Sequence, residues 1–462
     1  MTGSSWVGPA PAVLGAPLPP PDERRRAGRA RRAEVPRRAH GDWDPPAGRF
    51  DPVEVLVESC RTRVPELVPI RFGRMLASPF TFFRGSALVM ALDLATCPSV
   101  GLPVQLCGDA HLANFGVFAS PERSLLFDLN DFDETWPGPF DWDVRRLTTS
   151  VVLAARDNGM SDAEATAAAR AAAAAYRTWT DRYAGMTQLE IWYARLDATK
   201  LADLMAPSDQ RTAQRVLDKA GDRTHHRALA KLTDLVDDRR RIVADPPLVT
   251  PVANFPVDAL ATMVEHYRAT LTSDRQELFD RYRLVDLARK VVGVGSVGTR
   301  CLIALFQGPN GGPLFLQVKE AGLAAPAAAG VPGPAIHQGQ RVVEGQRRLQ
   351  AASDVLLGWT TNPLDGVEYY VRQLWDAKGS ADVATLRPGA LATYAAGCGR
   401  ALARAHARCG DAAAVAGYLG RSSAFDDAMV AFATAYADQT ERDHAALRAA
   451  ADGGRIPVAM AG

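Results

Sequence analysis

The segment Cys107–Gly116 carries side chains whose types and spacing suit phosphoryl transfer. Asp109 and Asn114 are spaced D-x-x-x-x-N, and Asp128 ends an apolar run farther along. Phosphoryl transfer needs a carboxylate that orients the attacking hydroxyl and accepts its proton, and an amide oxygen and a second carboxylate that hold Mg²⁺. Asp109 is therefore the predicted base, Asn114 and Asp128 are the predicted metal ligands, and His111 is a further catalytic candidate.

The acidic run from Asp128 to Glu134 also fits other interpretations. It could be a solvated acidic loop with no role in chemistry. A calcium-binding EF-hand loop is excluded, because that loop requires Gly at its sixth position, where Asp133 stands.

A second set of residues, suited to nucleotide binding, comes much later in the chain. Gly293, Gly295 and Gly298 form G-x-G-x-x-G around Ser296. The same spacing fits the dinucleotide fingerprint, which requires a helix to begin within the glycines. The residues that follow are instead rich in strand formers, which favours the glycine turn between two strands that covers phosphates in kinases. These four residues are therefore predicted to bind a nucleotide.

Lys319 ends an apolar strand after the glycine turn. It resembles the strand lysine that contacts the α- and β-phosphates in kinases. Glu344, on the helix that follows, is the predicted partner that holds this lysine in place, and Glu320 is a competing partner. The alternative is that Lys319 ends its strand in solvent and Glu344 lies on an exposed helix face.

The elements that must position these side chains change in character along the chain. Short apolar runs at 102–106 and 125–128 predict strands that flank the catalytic loop. Helical patterns then dominate, and the Ala-rich stretch Ala163–Tyr176 has very high helix propensity. Further strands are predicted at 284–292, 300–306, 313–319 and 368–375.

These patterns predict an α+β protein with four parts. Residues 1–50 are rich in Pro, Gly, Ala and Arg and predict a disordered tail, because such a segment buries too little apolar surface. A helical lobe over 51–280 carries the catalytic and metal loops. A β-rich nucleotide lobe is predicted over 281–380, and helices over 381–462 return to the large lobe.

Composition excludes several classes of function. Lys plus Arg total 53 and Asp plus Glu 52 in 462 residues, which gives no global reason to expect nucleic acid or a membrane surface as partner. No apolar run is long enough for a transmembrane helix, and no secretory signal is recognisable. The six scattered cysteines form no C-x-x-C pair, which predicts reduced thiols in a cytoplasmic protein.

The G-D-x-H-x-x-N pattern, followed by a hydrophobic strand that ends in Asp, resembles the catalytic segment of aminoglycoside phosphotransferases and choline kinases. The similarity continues through Gly138–Leu147. It implies a helix-starting Asp that braces the catalytic loop, and Asp143 is the candidate. One departure is Cys107, because those families usually have His at this position.

The order of the two sets is reversed relative to ordinary kinases, in which the glycine loop and lysine come first. The resemblance therefore implies a two-lobed protein-kinase-like fold that is circularly permuted. Tyr370–Leu374 resembles the hinge strand against which adenine docks. This arrangement predicts that Lys319 lies close enough to Asp109 and Asp128 for one bound nucleotide to link them.

Several motifs together resemble one uncharacterised bacterial family, domain of unknown function 2252, which is placed with the kinase-like superfamily by similarity. The family label implies no substrate. The motifs that carry this resemblance are Arg74–Phe80, Phe83–Gly85, Cys107–Gly116, Phe127–Glu134, Gly293–Gly298 and Gln317–Ala321.

The expected activity is ATP- and Mg²⁺-dependent phosphotransfer to a hydroxyl or amine of an unidentified small molecule or protein. Arg84 and His111 are candidates for contacts with the acceptor or a phosphate. The alternatives are nucleotidyl (AMP) transfer on the same fold and a catalytically degenerate nucleotide-binding module. A Rossmann-type oxidoreductase is disfavoured by the strand predicted after Gly298.

Overall fold

The computed structural model describes residues 18–221, 225–236, 239–252, 255–291, 293, 295, 297–374 and 379–459. The fold is α+β, as predicted. The α-helices of these residues are α1 (Pro21–Ala30), α2 (Pro52–Glu58), α3 (Val68–Met75), α4 (Pro79–Gly85), α5 (Ala87–Leu94), α6 (Phe140–Asp157), α7 (Asp162–Tyr183), α8 (Gln188–Tyr193), α9 (Ala198–Asp203), α10 (Pro207–Gly221), α11 (His225–Leu232), α12 (Val257–Ala269), α13 (Ser273–Phe279), α14 (Ala325–Ala328), α15 (Gln338–Leu349), α16 (Pro388–Cys409), α17 (Ala412–Leu419) and α18 (Ala424–Asp452).

The strands form one larger sheet and three two-stranded pairs. Their bounds are β1 (Pro103–Leu106), β2 (Phe115–Ala119), β3 (Leu125–Leu129), β4 (Trp136–Pro139), β5 (Thr233–Val236), β6 (Arg239–Ile242), β7 (Val249–Pro251), β8 (Arg283–Lys290), β9 (Cys301–Gln307), β10 (Pro313–Glu320), β11 (Gly358–Thr361) and β12 (Glu368–Gln373). The pairs are β1 with β4, β2 with β3 and β5 with β6, and the larger sheet has the order β11-β12-β10-β9-β8-β7. All of these pairings are antiparallel.

The main core lies between long helices that come from both halves of the chain. The helix predicted at Ala163–Tyr176 is present within α7, and its buried alanine face packs on α16. Gly399 allows this close approach, because a Cβ atom there would lie 2.2 Å from the carbonyl oxygen of Ala172. With α18 packed against α6, the last part of the chain returns to the helical core.

The predicted disordered tail over 1–50 is wrong for the described residues from 18 onward. Helix α1 packs on α17, where a Cβ atom on Gly28 would lie 1.9 Å from the Ala414 carbonyl oxygen. Arg24 forms an ion pair with Asp411 at 2.8 Å, and Arg25 forms one with Asp181 at 2.6 Å. The arginines that suggested a solvated tail are thus anchored to distant parts of the chain. Residues 1–17 lie outside the described residues.

The β-rich unit begins earlier than the predicted boundary at residue 281. Strand β7 joins the larger sheet beside β8, and α12 packs on β11. The Thr360 hydroxyl donates a hydrogen bond to the Met263 carbonyl oxygen at 2.7 Å. The segment from Val249 therefore belongs with this sheet. Across the described parts of the chain, no helix combines the length and apolar character needed to cross a bilayer.

Candidate functional site

The predicted catalytic loop, Cys107–Gly116, is held in place through its backbone. The amide N–H groups of Cys107 and Gly108 donate to the two carboxylate oxygens of Asp143, at 2.6 and 3.0 Å. Gly108 has φ +81°, and a Cβ atom there would lie 1.8 Å from the Glu134 carbonyl oxygen, so this position requires glycine. The predicted bracing role of Asp143 is confirmed by these two hydrogen bonds.

Asp109, His111 and Asn114 are brought together by the short turn that follows. The Asn114 side-chain amide donates to the Asp109 carbonyl oxygen at 2.6 Å, which leaves the Asn114 amide oxygen free of this contact. The Asp109 carboxylate accepts a hydrogen bond from Nε of Arg146, and its other oxygen lies 3.6 Å from Nε2 of His111. These contacts orient the carboxylate that the sequence predicts as the base.

Burial controls the protonation of this cluster. It raises the pKa of Asp109, and the neighbouring Arg146 and Arg84 guanidinium groups oppose that rise. Burial, reinforced by the same two arginines, lowers the pKa of His111 well below its usual range. His111 is therefore a neutral imidazole beside Asp109.

Asp128 is not placed at the site as a metal ligand. It is buried, and both of its carboxylate oxygens lie 2.7 Å from one guanidinium nitrogen of Arg404 on α16. The backbone N–H of Ala351 also donates to it at 2.8 Å. These contacts fasten β3 to α16 and to the end of α15. The predicted metal role is therefore replaced by a structural one, since the oxygens of Asp128 are already occupied.

Asp131 and Asp133, later in the same acidic run, do face the site. The Oδ1 atom of Asp131 is buried and has no hydrogen-bond partner. Burial and repulsion from Asp133 raise the pKa of Asp131. Burial acts on Asp133 in the same sense, but Lys319 and the Tyr370 hydroxyl, which donates to it at 2.7 Å, together hold its pKa below the usual range.

Glu134 closes the acidic run against α14. Its carboxylate accepts a hydrogen bond from the backbone N–H of Ala325 at 2.5 Å. Burial raises the pKa of Glu134 to about 7, and the Ala325 N–H and the Arg341 guanidinium oppose that rise. Glu134 therefore titrates near neutrality.

Lys319 reaches across from β10 to this acidic run. Its ammonium group forms an ion pair with Asp133 and lies 3.8 Å from Asp131. Burial would lower the pKa of Lys319, but Asp131 and Asp133 raise it overall. The ammonium also lies 5.8 Å from the centroid of the Tyr370 ring. A side chain from the sheet is thus joined directly to the loop that follows β3.

Neither predicted glutamate partner holds Lys319. Glu344 forms an ion pair with Arg348 at 2.9 Å and accepts a hydrogen bond from Gln340 at 2.7 Å, on the outer side of α15. Glu320 forms an ion pair with Arg300 at 3.2 Å. The acidic run supplies the counter-ions of the lysine, so Glu344 is outside the site.

The glycine segment lies between β8 and β9 and forms part of the same site. Gly293 and Gly295 line the cavity described below. Gly298 has φ +90°, and its carbonyl oxygen accepts a hydrogen bond from the Val64 N–H at 2.7 Å. Ser296 lies outside the described residues. A strand, and not a helix, follows Gly298, which argues against the dinucleotide fingerprint.

One cavity of about 550 Å³ joins the two sets of residues. A volume of this size is typical of small-molecule sites. Asp109, which precedes α6 and α7, and Lys319, which follows them, both line it. The other functional side chains on its wall are His111, Asn114, Asp131, Asp133, Glu134, Gln317, Glu320, Arg63, Arg71, Arg84 and Arg372.

The donor set of the cavity fits a metal ion that is bound partly by a substrate. Among the described residues, no three His, Cys, Asp or Glu side chains are grouped so as to hold a metal alone. Mg²⁺ usually takes one or two protein oxygens and completes its shell with waters and phosphates. The unpartnered Oδ1 of Asp131 and the amide oxygen of Asn114 would supply those protein oxygens.

Several residues of the site were missed from the sequence. Arg146 follows Asp143 by about one helical turn on α6, but this helix contains other charged and polar residues, so nothing in the sequence singled out Arg146. Asp131 and Asp133 were visible as acidic residues, but the sequence did not show which carboxylate faces the cavity. Tyr370 was assigned to the hinge strand, and its contact with Asp133 depends on a pairing across 237 positions.

Comparison with known proteins gives one family match. A family model described as uncharacterized protein conserved in bacteria (DUF2252) matches residues 63–450, which is most of the chain. No curated protein and no solved structure matches it. The matched region contains the catalytic loop, the acidic run, the glycine segment and Lys319.

Proposed function

The chain belongs to the DUF2252 family of bacterial proteins, and from that premise we propose that it is an ATP- and Mg²⁺-dependent phosphotransferase with a circularly permuted kinase-like fold. The observation that carries the proposal is the ion pair of Lys319 with Asp133, in the cavity that also contains Asp109 and Asn114. These side chains are the phosphate-binding, metal-binding and base groups that phosphoryl transfer requires.

The arrangement of the larger sheet supports a kinase-like nucleotide lobe. The glycine segment connects β8 to β9, Lys319 lies on β10, and α15 connects β10 to β11. Strand β12, which resembles the hinge strand, pairs with β10 and places Tyr370 opposite Lys319. The order of parts within this unit is the one that the kinase resemblance implies.

The contact between α16 and β1 supports the permutation. The backbone N–H of Gln105, on β1, donates to the Sγ atom of Cys409 at the end of α16, at 3.3 Å. A Cβ atom on Gly410 would lie 2.7 Å from a Val104 methyl group. The helix that follows the sheet therefore ends beside the strand that leads into the catalytic loop. An unpermuted chain would run directly from one to the other, and permutation requires only this proximity.

Each cavity residue has a role in the proposed reaction. The Asp109 carboxylate accepts the proton of the acceptor hydroxyl. The oxygen of that hydroxyl forms a bond to the γ-phosphorus, and the bond from the γ-phosphorus to the β,γ-bridging oxygen breaks to release ADP. Asn114 and Asp131 would hold Mg²⁺, which when bound neutralises charge on the phosphates. Lys319 contacts the phosphates beneath Gly293 and Gly295.

Arg146 and His111 position the base. Arg146 donates to Asp109 and also to the Phe83 carbonyl oxygen at 2.7 Å, so the guanidinium is fixed at both ends. It favours the ionised carboxylate in a buried setting that otherwise disfavours it. Neutral His111 fills the space beside the second carboxylate oxygen without competing for the proton.

Thermal unfolding with Mg-ATP, ATP alone, Mg²⁺ alone and NADH tests the proposal. Wild-type protein should be stabilised most by Mg-ATP, because a ligand that binds only the native state adds about 2.7 kcal/mol at a hundred times its Kd. Asp131→Asn should lose the part of the thermal stabilisation that depends on Mg²⁺. Glu344→Gln, outside the cavity, should keep this stabilisation. Stabilisation by NADH, or by no nucleotide at all, would contradict the proposal.

A measurement of ATP turnover then distinguishes an enzyme from a module that only binds the nucleotide. Release of ADP that depends on Asp109 supports phosphotransfer. Binding of Mg-ATP without any turnover that depends on Asp109 would favour the degenerate module instead.

A further inference from the structure

Three arginines of the cavity lining form a second group of charged side chains, called the arginine wall below. Arg63, Arg71 and Arg84 come from the helical segment that precedes the catalytic loop, and all three line the cavity. Among the ion pairs of the described residues, none includes any of them, so no carboxylate lies within 4.0 Å of their guanidinium groups. The three guanidinium groups therefore carry positive charge without a carboxylate in ion-pair contact.

Backbone carbonyls satisfy only some of their donors. Arg63 donates to the Val297 carbonyl oxygen at 2.6 Å, and Arg71 donates to the Gly85 carbonyl oxygen at 2.8 Å. The Nε atoms of Arg71 and Arg84 are buried and have no partner. Arg71 is only 2% exposed, so water does not replace the missing acceptor at its surface. Both side chains line the cavity, so a molecule bound there would lie beside their guanidinium groups.

The charges of the three arginines are disfavoured in the absence of a ligand. Burial lowers the pKa of all three guanidinium groups, and for Arg71, where repulsion from Arg63 adds to burial, the pKa falls to about 10. Carboxylates elsewhere in the site raise the pKa of these arginines, but they lie beyond the 4.0 Å of an ion pair. An anion bound here would relieve this cost, and arginine forks match the geometry of phosphate and carboxylate.

We infer that the acceptor carries a phosphate or carboxylate group, which Arg63, Arg71 and Arg84 bind while the hydroxyl or amine that reacts lies at Asp109. The inference rests on the proposed function, because it assigns the arginine wall to the second substrate. Arg84 links the two positions, since its charge acts directly on both Asp109 and His111. The substrate class is thus a small anionic metabolite with a free hydroxyl or amine.

A nucleotide bound in the reverse direction would present the same chemistry, because its terminal phosphates are also anions. Two features favour the acceptor. In the proposed function, Lys319, Asp131 and Asn114, which also line the cavity, already account for the phosphates and the metal ion. The three arginines also belong to the segment before the predicted catalytic loop, and of the three only Arg63 donates a hydrogen bond to the glycine segment, at Val297.

Calorimetric titration with inorganic phosphate tests the assignment. The titration is done on ligand-free protein and on protein saturated with Mg-ADP, and Mg-ATP affinity is measured separately. The variants are Arg84→Gln, Arg84→Lys, which keeps the charge, and the control Arg61→Gln, whose side chain is exposed and outside this cavity. Wild type should bind phosphate in both states. Arg84→Gln should weaken phosphate binding by at least about tenfold, the value of one charge-assisted hydrogen bond.

The other variants fix the interpretation. Arg84→Lys should recover part of the phosphate affinity, Arg61→Gln should match wild type, and Mg-ATP affinity should stay within about threefold in Arg84→Gln. No phosphate binding by wild type, or unchanged binding by Arg84→Gln, would overturn the inference. A loss of Mg-ATP affinity in Arg84→Gln equal to the loss for phosphate would assign the wall to the nucleotide and also overturn it. Failure of wild type to bind Mg-ATP removes the proposed function, and the ligand-free titration still decides whether the anion site exists.

Discussion

The two walls of the cavity treat their buried charges in opposite ways. The acidic wall is the part of the cavity lining that carries Asp109, Asp131 and Asp133. There Lys319 lies between Asp131 and Asp133, and Asp109 is paired with Arg146. On the arginine wall, the charges have no such partners among the described residues. The charges of the acidic wall are therefore paired within the protein, whereas those of the arginine wall are not, which is why we infer a ligand there. This difference suggests that the acidic wall carries out the proposed reaction and that the arginine wall recognises the substrate.

The largest expected effect comes from removing the base on the acidic wall. Asp109→Asn should lower the rate of ADP formation about 10²–10⁴-fold, because positioned general bases contribute that much. Mg-ATP affinity should change little, since Asp109 does not contact the nucleotide in the proposed arrangement. A coupled ADP assay measures the rate, with exposed Asp258→Asn as the control. A rate within threefold of wild type would show that Asp109 is not the base.

The second largest effect is expected on the free energy of unfolding, which should fall more for a substitution on the acidic wall than for one on the arginine wall. Lys319→Met should lower the free energy of unfolding by about 2–3 kcal/mol, because it leaves two adjacent, partly buried carboxylates without their buried cation. Arg84→Gln should cost much less stability, because Arg84 forms no ion pair among the described residues and acts on Asp109 only through its charge. Urea unfolding of the ligand-free protein measures both, with exposed Lys200→Met as the control. If the two variants lost equal stability, the contrast between the walls would be wrong.

The pH dependence of stability should report Glu134. Its pKa is raised to about 7 in the folded protein from an ordinary value of 4.5. Between these values the native state holds a proton that the unfolded chain releases, so stability falls as pH rises across the window. The total loss is up to about 3 kcal/mol. Unfolding free energies from pH 5 to 7.5 should show this slope, and Glu134→Gln should flatten it while exposed Glu265→Gln should not. An equal slope in Glu134→Gln would assign the effect to another group.

The smallest effect is expected at Glu344. Its contacts are an ion pair with Arg348 and a hydrogen bond from Gln340, both within α15 and outside the cavity. Glu344→Ala should change the unfolding free energy by less than about 0.5 kcal/mol, as for other helix surface pairs, and Mg-ATP affinity by less than twofold. Titration with Mg-ATP checks this. A tenfold loss would restore Glu344 as the partner of Lys319 in a rearranged, nucleotide-bound state.

The parts of the site that could be predicted are those fixed by local sequence. Asp109, His111 and Asn114 lie in one short turn, so their spacing alone brings them together. Asp143 was identifiable because it begins a helix shortly after the loop that it braces. The glycine segment and Lys319 were recognisable because each lies at the end of a predicted strand.

The errors arose where a role depends on a distant partner. Asp128 and Asp131 are close in sequence and chemically identical, and the groups that occupy the Asp128 carboxylate, Arg404 and the Ala351 N–H, lie 276 and 223 positions after it. The partner of Lys319 is likewise remote, since Asp133 precedes it by 186 positions. The arginine-rich helix α1 has a composition typical of disorder, and the ion pair of Arg24 with Asp411, 387 positions away, was not visible in it.

A crystal structure with Mg²⁺ and a non-hydrolysable ATP analogue tests the central claim most directly. The account predicts triphosphate beneath Gly293 and Gly295, with Lys319 at the phosphates. It also predicts a metal ion held by Asn114 and Asp131 and the γ-phosphate facing Asp109. Nucleotide bound outside this cavity, or triphosphate seated on the arginine wall with no metal at Asp131, would contradict it.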